Sequence, residues 1–173
     1  YVGYGAGALG VIDLARGVRI ADIPLKGHPE SFQLETGGKR IFVNLPAARQ
    51  IAVIDREKNS LLAAWLLEKE QANFPMALDE RNHRLLVGCR TPARLVVIDT
   101  ETGKIVRSVP CAGDADDLFY DARRKRIYVS GGEGFVSVFQ QMDANRYELV
   151  HRLPTAAGAR TSLFVPATGH FYL

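Results

Sequence analysis

Cysteine is scarce in this chain, with two in 173 residues. That is too few for a disulfide framework, and neither belongs to a Cys-x-x-Cys-His haem-attachment pattern. Long hydrophobic runs are absent too. The longest, Leu61–Leu67, has 7 residues, against the roughly 18 needed to cross a bilayer as a helix, so no membrane span is read. Charge of one sign is not in large excess: 22 basic against 19 acidic residues leave a net charge of +3, too small a surplus to name a nucleic-acid partner. Low-complexity tracts are missing, and 47% of the residues are hydrophobic, which together exclude a disordered chain. No Gly-x-Ser-x-Gly elbow occurs. The sequence opens directly on Tyr1-Val2-Gly3, so the lack of a basic and apolar leader in it is uninformative, and it stops on the strand-like Phe171-Tyr172-Leu173. Both ends look cut, so the chain is read as a fragment.

What is present is a repeat. Arg40-Ile41-Phe42-Val43, Arg84-Leu85-Leu86-Val87, Arg126-Ile127-Tyr128-Val129 and His170-Phe171-Tyr172-Leu173 recur at a mean period of about 43 residues, the length of a propeller blade. Tyr1-Val2 fits the tail of the same unit. A second marker keeps the register as Val11-Ile12-Asp13, Val53-Ile54-Asp55, Val97-Ile98-Asp99 and the degenerate Val138-Phe139-Gln140. A third places Glu35, Asp79 and Asp121 five residues before each basic strand start. Between the markers, apolar and polar residues alternate as strands require.

Each period therefore reads as four strands, in the second copy over 32–35, 40–44, 50–55 and 61–67. Asp-led turns such as Asp99-Thr100-Glu101-Thr102-Gly103 join the last two, with the aspartate accepting backbone N–H groups. Ser60 to Ala72 consists of good helix formers, yet the register assigns it an outer strand. The expected fold is an all-β propeller of four-stranded antiparallel blades, about four blades of a seven-bladed ring. The units are expected at about 1–27, 28–72, 73–113, 114–158 and 159–173, within one domain.

The basic-aliphatic-aromatic-Val strand ends and the Val-Ile-Asp-x-x-x-Gly hairpins resemble the YVTN-type repeats of YncE-like proteins, in the wider class of quinoprotein amine dehydrogenase-like propellers. The resemblance implies a closed ring of about seven blades, export to a bacterial periplasm, and in many members no assigned activity.

In such a ring, the loops leaving each second strand and those leading into the next blade share one rim. They carry His28, Glu30, Asn44, Asn73, Cys89, Arg90, Asp114, Asp116, Asp117, Glu133 and Arg160. Residues at equivalent positions (His28, Asn73, Asp114, Arg160) differ while the strands around them stay alike, and loops on a rigid scaffold commonly carry function. The expectation is a non-catalytic site for a small ligand or protein on this rim. The alternative is an enzyme or enzyme subunit, quinoprotein-dehydrogenase-like or lactonase-like, using rim carboxylates and His28. The opposite rim carries Lys39-Arg40, Arg81 to Arg84 and Arg123 to Arg126, a basic crescent read as a solvated edge rather than a nucleic-acid surface, since stacking aromatics are lacking.

No cofactor or metal is expected. Gly5-Ala6-Gly7-Ala8-Leu9-Gly10 matches a dinucleotide pattern but runs into a strand instead of a helix, so it reads as a turn. Among His28, His83, His151 and His170, only His28 reaches the rim. Asp114, Asp116 and Asp117 are open to three readings: holding a hard cation, serving as turn caps and rim charge, or one of them, crowded by another, acting as a general base. Cys89 and Cys111 are open to three readings: structural thiols, a disulfide, or a nucleophile at Cys89 activated by Arg90.

Overall fold

The computed structural model describes residues Tyr1 to Leu173 throughout. It is all-β apart from two single 3₁₀ turns, Pro46–Ala48 and Glu80–Asn82. The first sheet holds β1 (Val2–Tyr4), β2 (Ala8–Asp13) and β3 (Val18–Pro24); the second holds β4 (Phe32–Leu34), β5 (Arg40–Leu45), β6 (Gln50–Asp55) and β7 (Ser60–Leu66). The third holds β8 (Gln71–Asp79), β9 (Arg84–Thr91), β10 (Ala93–Asp99) and β11 (Ile105–Pro110). The fourth holds β12 (Ala115–Asp121), β13 (Arg126–Gly131), β14 (Phe135–Gln141) and β15 (Tyr147–Pro154), and a last pair is β16 (Leu163–Val165) with β17 (His170–Tyr172). Every sheet is an antiparallel meander. The leading strands β4, β8 and β12 touch one another from sheet to sheet, while the trailing strands β7, β11 and β15 are mostly exposed. This is a propeller, with the leading strands innermost.

Alternation on the middle strands builds the core. On β5, Ile41, Val43 and Leu45 face the first sheet, with Leu9 and Ile23, while Phe42 faces the third, with Met76, Leu85 and Val87. Leu86, Leu95 and Val97 turn the other way, onto Leu118, Ile127, Val129 and Phe139. The second and third blades thus bury both faces against their neighbours, which is why all of Gln50–Asp55 is buried.

Ser60–Leu66 is a strand, paired with β6 from Asp55↔Ser60 to Gln50↔Leu66. Its helix propensity amounts to a few tenths of a kcal/mol per residue, and a sheet edge with an adjoining blade outweighs it. In all four blades the pairing of the third and fourth strands slips by one residue at the repeated Val-Ile step: Val11/Ile12, Val53/Ile54, Val97/Ile98 and Val138/Phe139. Such bulges increase strand twist, so the marker encodes blade shape as well as core.

The acidic markers cap the first hairpins. Asp79 accepts from the Asn82 N–H and side-chain amide, Asp121 from the Arg123 and Arg124 N–H groups, and Glu35 from Arg40. The aspartates of the outer turns behave as expected: Asp55 accepts from Glu57 and Lys58, and Asp99 from Glu101 and Thr102.

The basic crescent is largely neutralised. Arg40 holds Glu35 and reaches the next blade at the Thr100 carbonyl (2.6 Å) and Glu101 (2.7 Å). Arg84 pairs with Asp99 at 2.6 Å and reaches the Ala144 carbonyl and Asn145 of the next blade. Lys39 pairs with Glu57, and Arg124 with Asp121. Arg40 and Arg84 tie neighbouring blades together, while Lys39 and Arg124 are paired within their own, leaving Arg81, Arg123 and Lys125 as exposed, unpaired charge on that edge.

Candidate functional site

The rim where β8 and β12 begin is built by two further bulges. Pairing of β8 with β9 slips between Asn73 and Met76, and pairing of β12 with β13 slips between Ala115 and Asp117. An extra residue re-aims the side chains beside it. Here the bulges release Phe74 and Asp116 toward the rim.

Arg90, at the end of β9, lies with its guanidinium carbon 3.9 Å from the centroid of the Phe74 ring. It donates to the Ala115 carbonyl (2.9 Å) and to Asp116, and approaches Asp114 at 3.2 Å. Arg160, in the loop before β16, takes the other oxygens: Asp114 at 2.5 Å and Asp116 at 2.9 Å. Two guanidinia and two carboxylates therefore alternate in a closed quartet across three successive blades. Hydrogen bonding to Asp114 and the charge of Asp116 hold the Arg160 guanidinium further up than usual.

Asp117 stands outside the quartet. Its Oδ2 accepts a 2.6 Å bond from the Ser162 N–H, the only hydrogen bond the carboxylate receives. Burial, reinforced by the neighbouring Asp116 charge, raises its carboxyl above the usual aspartate range despite that bond. Asp116 and Asp117 open on a groove of about 390 Å³ along the leading strands, whose walls include Ser31, Gln33, Pro75, Phe119, Tyr120 and Phe164.

The other expected rim residues separate. His28 is exposed, with Nδ1 2.7 Å from the Gly5 carbonyl in the β1–β2 turn; it joins neither quartet nor groove. Glu30 is anchored through its N–H on the Asn44 carbonyl. Glu133 accepts from the Gly113 N–H at 2.8 Å. Asn44 and Asn73 are wholly buried: the Asn73 amide donates to Asn44 Oδ1 and the Gln50 carbonyl, and that of Asn44 to the Phe74 carbonyl. They brace the bulge from beneath without meeting solvent. Of the Gly5-to-Gly10 segment, residues 5–7 form the β1–β2 turn, with Gly5 at φ 60°, and residues 8–10 are already strand β2.

Cys89 and Cys111 are free thiols, Cys89 fully buried. Burial pushes both up to about 12, which speaks against a nucleophile activated by Arg90, whose guanidinium is engaged on the Ala115 carbonyl, Asp114 and Asp116. Alkylation of the native protein at pH 8 is expected to run roughly a thousandfold slower than for an ordinary thiol, with two equivalents taken up after denaturation. Rapid native labelling would contradict this placement. No group of three or more His, Cys, Asp or Glu side chains gathers as a metal site, and no helix is long and apolar enough to cross a membrane.

Sequence reasoning did not find Phe119 and Phe164, which look like ordinary strand residues. The available signal was the Asp116-Asp117 pair, which interrupts alternation where the bulge sits.

No family model and no curated protein matches this chain. Solved structures do. Kuenenia stuttgartiensis hydrazine synthase superposes with a TM-score of 0.77 at 13% identity, over 93% of this chain and 47% of that one. A Bacteroides uniformis protein assigned as a 6-phosphogluconolactonase gives 0.75 at 12% identity, over 95% and 56%. A chain of the mitotic checkpoint complex gives 0.72 at 13% identity, over 86% and 47%. The likeness shows the propeller fold, and this chain spans about half the length of each of these structures.

Proposed function

We propose that this chain is part of a larger binding propeller, of about seven blades and exported to a bacterial envelope as its YVTN-type resemblance implies. Its site lies on the rim where the quartet of Arg90, Asp114, Asp116 and Arg160 meets the groove. The observation that carries this reading is the pair of bulges that project Phe74 and Asp116 from consecutive leading strands. Twist and closure do not call for a charged quartet there, because β4 of the preceding blade forms its ladder without one. Membership of one structural neighbour in the mitotic checkpoint complex is in keeping with propellers that assemble with other proteins.

Asp116 belongs to both quartet and groove, so Asp116→Ala is the test. A panel of small molecules is titrated onto the full-length protein, and each ligand that binds is retitrated against the variant. At least tenfold weaker binding is expected, with a melting-temperature change of no more than about 4 °C, since partly exposed ion pairs contribute about 1 kcal/mol or less. Ligands that bind the variant as well as the parent would move the site elsewhere.

The second reading is an enzyme of lactonase-like type, favoured by the Asp117 carboxylate in the groove, which burial makes a better proton acceptor than an ordinary aspartate. The B. uniformis neighbour lends it analogy only. Lactone hydrolysis that disappears in Asp117→Asn would support it, and no turnover would leave the binding reading alone.

A further inference from the structure

We propose that the groove wall formed by this chain receives a cationic ligand, an amine or guanidinium carried on an apolar or aromatic body, and disfavours anions. This rests on the binding reading above and specifies its chemistry.

The inference follows from which polar groups of the groove are already engaged. Ser31 Oγ donates to the Phe74 carbonyl at 2.6 Å, Gln33 Nε2 to the Met76 carbonyl at 3.2 Å, and the Tyr120 hydroxyl to Gln141 at 2.7 Å. The Ser31 and Tyr120 hydroxyls thus already hold acceptors within the protein, and the Gln33 amide keeps one N–H free. No Lys, Arg or His lines the groove, and the two nearest guanidinia, Arg90 and Arg160, are matched by Asp114 and Asp116. Two cations face three carboxylates, leaving one negative charge in excess. That charge has a definite position: Asp117 Oδ1 takes no hydrogen bond, and Oδ2 takes only that of Ser162. An entering anion would find no unmatched cation and, among the side-chain donors, only the second N–H of Gln33. An entering ammonium would find an unsatisfied carboxylate oxygen already partly withdrawn from water, where an ion pair is stronger than at an open surface.

The apolar side of the groove fits the rest of such a ligand. Phe119 and Phe164 both line it, their centroids 6.4 Å apart and their planes inclined at 51°. Phe164 is nearly buried and packs against Tyr128 at 5.2 Å, so the pair is held in place from behind. An aromatic face beside a carboxylate favours a cation through both the ring quadrupole and the charge. At about 390 Å³ the groove is at the small end of ligand sites, the size of an arylalkylamine or one basic side chain of a protein.

The experiment compares two probes of equal size and opposite charge, benzylammonium and benzoate, on the full-length protein at pH 7, followed by calorimetry and by NMR of the Phe119 and Phe164 rings. Benzylammonium is expected to bind at least tenfold tighter than benzoate and to shift both rings. Asp117→Asn, which keeps an oxygen for the Ser162 N–H, is expected to remove at least tenfold of that affinity; Asp143→Asn, in the exposed β14–β15 turn, leaves it unchanged. Benzoate binding equally or better at these rings would overturn the charge assignment while leaving a binding groove in place. Benzylammonium binding unaffected by Asp117→Asn would overturn the assignment of the carboxylate. Shifts of neither ring with either probe would overturn the inference, while the Asp116→Ala comparison independently decides the rim reading.

Discussion

Gly103→Val is expected to lower the melting temperature by about 5–15 °C, corresponding to about 2–5 kcal/mol in a chain of this size. Gly103 closes the β10–β11 turn at φ +71°, where a side chain costs about 1–2 kcal/mol. Space is also lacking. A Cβ placed there would lie 2.5 Å from Cδ1 and Nε1 of Trp65, on the trailing strand of the preceding blade. Trp65 stacks in turn on the fully buried Phe42, their centroids 5.6 Å apart, so relief means displacing a ring from an inter-blade core, which adds about 1–3 kcal/mol. Trp65 is the single tryptophan, and its emission should shift to longer wavelength in the variant as the indole meets water. Gly103→Asn separates the two effects, because asparagine tolerates the backbone conformation while still meeting the indole. A Gly103→Val protein with parental melting and emission would show that the blades are not packed as described.

Arg84→Ala is expected to destabilise the protein by about 2–4 kcal/mol, somewhat less than the roughly 3–5 for breaking a fully buried ion pair because this one is partly exposed. Arg84 and Asp99 are only 11% and 21% exposed as side chains, and the same guanidinium supplies the bonds to Ala144 and Asn145 that fasten the next blade. Burial tends to raise the Asp99 carboxyl, but hydrogen bonds from Thr102 and Glu101 and the charge of Arg84 leave it lowered overall. A depressed carboxyl contributes stability that is present above the ordinary aspartate range and is lost as pH falls through its lowered value. The gap between parent and variant should therefore be widest near neutral pH and narrow in acid without closing, since the Asn145 and Ala144 bonds do not titrate. Thermal melts from pH 7 down to pH 3 test this. A gap below about 1 kcal/mol at neutral pH would mean that the arginine staple holds nothing.

The arginine also shows what is hidden from a linear reading. Arg40 and Arg84 stand out as repeat markers, and at sequence level they form a charged edge. Their partners lie about 60 residues further on, nearly one and a half periods, in a turn of the next blade. Only the angle between blades brings them within reach. The Val-Ile bulge is similar: the marker is plain in the text, but a slip in pairing is a property of two strands.

The candidate site divides along the same line. His28, Asn73, Asp114 and Arg160 occupy comparable places in the repeat, yet one is held by a turn of the first blade, one is sealed beneath a bulge, and two meet across a seam. Whether a polar loop residue faces water, a carbonyl or an opposite charge depends on the residue across the gap, which the period does not specify. Phe119 and Phe164 were invisible as a site because an aromatic residue on a leading strand reads the same whether a neighbouring blade or a groove lies in front of it.

The sequence by itself determined the strands, their pairing order and the stacking of blades, because these follow from short-range alternation, turn chemistry and a period repeated through the chain. That consistency also overrode the helix propensity of Ser60 to Leu66, while Gln71 and Ala72, expected in the same outer strand, begin β8 of the next blade. The tertiary structure alone decided which charges are matched, which polar groups are sealed, and where a carboxylate is left facing a groove. Those outcomes depend on distances between residues of different blades, set by the twist and inclination of sheets that share no local signal.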